Sequence, residues 1–143
     1  MMIKRMEDIQ RRLALKFRVN KIENSGIHGP IILNELFHHK DKNSSTKLME
    51  GFLKINTEKP EICWHIWVED VSGTVYDINK TLACMRDPGF ENIDFEYMKE
   101  VDNPEKPEEL LEQWKLYQDD KKEFWKKSPQ ILKNFRSKIF RNF

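Results

Sequence analysis

Apolar residues recur every three or four positions at the start of the chain. Ile3, Met6, Ile9, Leu13 and Phe17 fall on one side of a 3.6-residue period with Arg and Lys between them, so the spacing predicts an amphipathic helix from Ile3 to about Val19. The stretch Asn24-Ser25-Gly26-Ile27-His28-Gly29-Pro30 reads as a loop by composition. Pro30 suits the first turn of a second helix, where a missing amide hydrogen costs nothing. That helix runs to about His39 with Ile32, Leu33, Leu36 and Phe37 as its stripe, and the polar run Lys40 to Ser45 ends it.

The period then changes. Lys47 to Ile55, Ile62 to Val71 and Thr74 to Ile78 are predicted strands, the last two rich in Trp, Val and Ile. Pro60 separates the first pair and Ser72-Gly73 turns between the second. Beyond Leu82 the rhythm fades. Asp87-Pro88-Gly89 reads as a turn, and Asn103-Pro104 to Pro107 as a loop. A helix is expected from near Pro107, with Leu110, Leu111, Trp114, Tyr117, Phe124 and Trp125 as its apolar contacts. A last helix from about Pro129 carries Ile131, Leu132, Phe135, Ile139 and Phe140. The elements together predict an α+β fold: a small antiparallel sheet packed against a central helix, with N- and C-terminal helices around it.

Length and composition narrow this picture. The 143 residues fit a single domain over 1–143. Hydrophobic residues make up 38% and charged residues 34%, which is polar, yet four Trp and nine Phe suffice to build a core and argue against wholesale disorder. No run of about 18 apolar residues occurs, and Arg and Glu stand where a signal peptide needs its apolar stretch. The expectation is a soluble cytoplasmic protein. Two cysteines, Cys63 and Cys84, cannot form a disulfide framework or a four-cysteine zinc site, so reduced thiols are expected.

The net charge of +1 conceals a strong segregation. Residues 1–20 hold six bases and two acids, and residues 21–85 seven bases and nine acids. Residues 86–120 hold four bases and twelve acids, whereas residues 121–143 hold eight bases and one acid. The basic tail, with Lys133 and Arg136 among its charges and Phe135, Phe140 and Phe143 between them, suits phosphates, an acidic partner or a membrane surface. It equally suits a helix that packs its aromatic face on the domain and leaves its bases in water.

The chemistry concentrates in Cys63-Trp64-His65-Ile66-Trp67-Val68-Glu69, followed by Gly73 and Val75-Tyr76-Asp77. Side chains alternate on a strand, so Cys63, His65, Trp67 and Glu69 share one face and Trp64, Ile66 and Val68 the other. A two-residue turn at Ser72-Gly73 would pair Val68 with Asp77 and put the acid behind the sheet. A three-residue loop, Val71-Ser72-Gly73, ends in a residue suited to the left-handed conformation. It pairs Trp67 with Asp77 and makes His65 and Asp77 diagonal neighbours on one face, which is the expected register. Such a pair fixes the tautomer of a catalytic base, and it also occurs as an ordinary half-buried contact next to a turn-forming acid.

A nucleophile is harder to find. Cys63 lies two residues before His65 on the same face, about 7 Å away along the strand, which is too far for a direct bond in an undistorted sheet. Cys84 has no identifiable base. His28, Cys63, His65 and Asp77 are all metal-ligand types, but none of their spacings is a metal signature, so neither a metal nor a cofactor is expected. The adjacent His38 and His39 point to different sides of a helix and read as surface residues.

Glu50-Gly51-Phe52, then His65-Ile66-Trp67, then Gly73 to Asp77, resembles the core of the transglutaminase-like superfamily, related to papain-like thiol enzymes. The resemblance covers roughly residues 24–82, with residues 104–143 as a helical extension. It implies His65 and Asp77 as two members of a Cys-His-Asp triad whose Cys stands near the start of the preceding helix. Here that stretch, Gly26-Ile27-His28-Gly29-Pro30, has no Cys, and His28 is nearest in spacing. The resemblance therefore implies a pseudoenzyme: a domain without its thiol, acting as a binding or structural protein through a pocket around His28, His65, Trp67 and Asp77. A protein partner or self-association is expected. An active thiol hydrolase or acyltransferase using Cys63 or Cys84 is the alternative, and nucleic-acid binding through the basic tail the second.

Overall fold

The apolar stripe at the start of the chain folds as a helix, α1 (Met2–Val19), which buries Ile9, Leu13, Ala14 and Phe17 and exposes Arg11, Arg12 and Arg18. The computed structural model describes residues 2–22 and 26–143, and of Met2 and Ile3 the backbone alone. The expected loop residues Asn24 and Ser25, and the side chain of Ile3, lie outside the described residues. The second helix, α2 (His28–Lys40), starts two residues before Pro30, which sits in the first turn as expected. Ile31, Ile32, Leu33 and Leu36 have no exposed surface and Phe37 has 2%. A helix apolar on most sides belongs at the centre, and each such side chain contributes about 1.5–3 kcal/mol by leaving water.

Four antiparallel strands follow: β1 (Lys47–Asn56), β2 (Glu61–Glu69), β3 (Val75–Tyr76) and β4 (Asp94–Met98), in the order β3-β2-β1-β4. The β2–β3 hairpin adopts the three-residue loop. Asp70 N–H donates to Thr74 O at 3.0 Å, Gly73 takes φ +87°, and Val68 opposes Tyr76. The alternation of β2 then sends Trp64, Ile66 and Val68 into the core beside α2, and Cys63, His65, Trp67 and Glu69 to the opposite face.

Three stretches differ from the sequence reading. Ile78, expected to end a strand, instead begins a helix, α3 (Ile78–Arg86), because the Asp77 carboxylate accepts the N–H groups of Asn79 and Lys80 and stops the strand. A short 3₁₀ turn (Pro88–Asn92) then leads into β4, which the sequence reading lacks. The long helix expected after Pro107 is broken into α4 (Glu108–Asp119) and α5 (Lys121–Lys127). Asp120 causes the break, its N–H closing α4 on Leu116 O and its carboxylate accepting Glu123 N–H to open α5.

The last helix, α6 (Gln130–Asn142), buries Leu132, Phe135 and Ile139. Its Phe135 ring lies 4.5 Å from Phe17 of α1, and its Arg136 makes a two-pronged ion pair with Glu35 of α2 at 3.1 and 3.0 Å. The result is the α+β arrangement expected, with the N- and C-terminal helices packed on the central one. No helix among the described residues is long and apolar enough to cross a membrane.

Candidate functional site

Asp77 is held by three elements at once. Its Oδ1 caps α3, at 3.1 Å from Asn79 N and 3.4 Å from Lys80 N. Its Oδ2 lies 2.8 Å from His65 Nε2 and accepts the Tyr97 hydroxyl of β4 at 2.8 Å. A carboxylate only accepts, so the hydrogen of this bond sits on His65 Nε2. The three-residue loop thus brings His65 and Asp77 together as expected, and their side chains are only 12% and 3% exposed.

Aromatic rings wall this pair. The Trp67 and His65 rings are stacked with centroids 6.2 Å apart, and Trp67 and Tyr97 lie 5.1 Å apart. Trp67 can lie flat because residue 51 is glycine: a Cβ there would meet Trp67 Cη2 at 2.7 Å and Met98 O at 2.4 Å. The indole N–H donates to Glu69 at 3.0 Å. Burial raises the Tyr97 pKa far above the usual phenol range, and the charge of Asp77 and its hydrogen bond add to the rise. Tyr97 therefore acts as a fixed donor to Asp77. Sequence reasoning missed it as a site residue. The alternation Asp94-Phe95-Glu96-Tyr97-Met98 was the available signal.

Neither thiol is activated. Cys63 is exposed as a residue, but burial of its sulfur raises its pKa, with the charges of Glu61 and Asp77 adding to the rise. Its Sγ contacts Leu53 O at 3.9 Å. Cys84, on α3, is also raised by burial, which outweighs the opposing charge of Lys80.

His28 goes elsewhere. It begins α2, on the side of the sheet opposite to His65, and its Nε2 lies 2.9 Å from Ser128 Oγ. Ser128 donates its single hydrogen to Phe124 O at 2.7 Å, so His28 Nε2–H is the donor to the serine. The ring stacks on Phe124 at 5.0 Å, and burial lowers its pKa to about 4. With Gln113, Lys127 and Ser128 it lines a cavity of about 690 Å³, in whose lining His65, Trp67 and Asp77 take no part. The four residues expected around one pocket therefore divide into two places.

The two bases singled out on the tail are engaged within the fold. Arg136 pairs with Glu35 and covers the Trp125 ring at 4.4 Å, and Lys133 Nζ donates to Lys126 O at 3.1 Å. Among the described residues no group of three or more His, Cys, Asp or Glu is placed to hold a metal ion. No protein-family model, no curated protein and no solved structure matches the chain.

Proposed function

We propose that the chain is a non-catalytic binding domain: a transglutaminase-like core in which the His–Asp pair holds the sheet together and no thiol attacks. The observation that carries this reading is the double use of Asp77 Oδ2, which takes both His65 and Tyr97 and leaves the pair walled by Trp67. Thiol chemistry needs a sulfur with a lowered pKa beside its base. Both sulfurs here are shifted the other way, and the first turn of α2 faces Ser128. Trp67, buried behind them, then serves as structure, and the half-buried rings of Tyr97 and His65 as recognition surface for a protein partner.

Iodoacetamide titration between pH 5 and 9 tests the reading. Slow alkylation of Cys63 and Cys84, rising only toward pH 9, is the result expected. Fast modification of either cysteine near pH 6, lost in His65→Ala, would establish the thiol hydrolase or acyltransferase instead.

A further inference from the structure

The fold brings basic stretches from the two ends of the chain into contact. α1 and α6 meet at Phe17 and Phe135, and Arg12 of α1 covers the ring of Phe143, just past the end of α6, at 4.5 Å. The helices therefore run antiparallel, Arg12 against Phe143 and Phe17 against Phe135. Residues 9–20 and 130–143 together contain eight bases (Arg11, Arg12, Lys16, Arg18, Lys133, Arg136, Lys138 and Arg141) and no Asp or Glu. Of these, Arg136 is taken by Glu35, Lys133 by Lys126 O and Arg18 by Met85 O of α3, and Arg11, 3.4 Å from Asp8 in a weak exposed contact, lies on the flank toward α3. Lys40 extends the cluster, with its Nζ bonded to Phe143 O and 5.6 Å from the ring centroid.

We infer that the paired surface of α1 and α6 binds the phosphate backbone of double-stranded nucleic acid without reading its sequence. α6 is about 20 Å long, which matches about six base-pair steps of one duplex face. Exposed Arg12, Lys138 and Arg141, with Lys16 and Lys40 around Phe143, supply the charge. A membrane fits less well, since the apolar stripes of both helices, Leu13, Phe17, Phe135 and Ile139, are buried in the core and leave only Leu15, Val19 and Ile131 of their described large apolar residues exposed. A single strand fits less well too, because bases stack on exposed rings. Here Phe135 is buried, and Phe140 and Phe143 are packed against His39 and Arg12. Lys133 and Arg136, prominent in the sequence, are held within the fold, and Lys138 and Arg141 take their place. The surface lies across the sheet from His65 and does not depend on the role given to that residue.

The test is fluorescence anisotropy of the full chain with a labelled 20-base-pair DNA duplex. The result expected is binding at 50 mM salt that weakens about a hundredfold by 200 mM, as for about four phosphate contacts. Lys138→Glu with Arg141→Glu weakens it at least tenfold, while Lys59→Glu with Lys106→Glu, the same charge change at two exposed sites elsewhere, changes it less than twofold. If the reversed helix fails to fold by circular dichroism, the neutral pair Lys138→Gln with Arg141→Gln is used, with a loss of at least threefold expected. Absence of binding at 50 mM salt, salt-independent binding, or equal loss in the control pair overturns the inference. So does tighter binding of a single-stranded 20-mer, or of vesicles with 30% phosphatidylserine, than of the duplex.

Discussion

Two histidines, His28 buried and His65 partly buried, meet opposite partners. His65 sits on a strand face with its Nε2 on a carboxylate, in a network that ties together β2, β4 and the start of α3. His28 sits at the start of a helix with its Nε2 on a serine hydroxyl, stacked on Phe124 and with burial alone acting on its pKa. The first residue is part of a charged hydrogen-bond hub, and the second is a neutral core residue that tolerates a proton badly. Burial by itself does not give a histidine its role. The atom facing its ring nitrogen does.

The largest effect that would separate the two sites is loss of the hub. Asp77→Ala removes the α3 cap and leaves His65 N–H and the Tyr97 hydroxyl without an acceptor, a destabilisation of about 3–7 kcal/mol from about 1 for the cap and 1–3 for each orphaned donor. Urea unfolding followed by tryptophan fluorescence measures it. A loss below about 1 kcal/mol would mean that the three contacts do not act together.

Acid sharpens the contrast at the other histidine. His28 titrates at about 4 in the folded chain and near 6.5 when unfolded. Between these values the unfolded state binds more protons, so stability is fully present above pH 6.5 and falls as the pH drops through 4. The loss from His28 by pH 4 is about 3 kcal/mol. His28→Gln keeps a donor toward Ser128 and should flatten this part of the stability curve. An unchanged slope in the variant would place the acid sensitivity elsewhere.

How much of this was readable beforehand differs between the sites. The His65–Asp77 contact was legible because strand alternation and a glycine at the third loop position fix which side chains share a face. Tyr97 was not, since its strand lies twenty residues from Asp77 in a stretch whose charges masked a two-residue alternation. The destination of His28 was hidden for a similar reason: its partner stands a hundred residues away, after a helix break at Asp120 that apolar spacing alone runs through, because Tyr117 and Phe124 are two turns apart either way. The α3 cap shows a local rule overriding another. Val75 to Ile78 has strand composition, and the Asp77 side chain ends it.

A smaller effect tests the hub's third member. Tyr97→Phe keeps the ring against Trp67 and deletes only the hydroxyl, so it should cost about 1 kcal/mol in urea unfolding and leave His65 bonded to Asp77. A cost of several kcal/mol would make the tyrosine, and not the acid, the centre of the network.

The claim on which the rest stands is that His65 offers Nε2–H to Asp77. Long-range proton–nitrogen correlation spectra of ¹⁵N-labelled protein at pH 8 report the tautomer of each ring directly. The Nε2-protonated form at His65, with that proton protected from solvent exchange and the protection lost in Asp77→Asn, is the result predicted. An Nδ1-protonated ring at His65, or one whose nitrogens average freely, would contradict it.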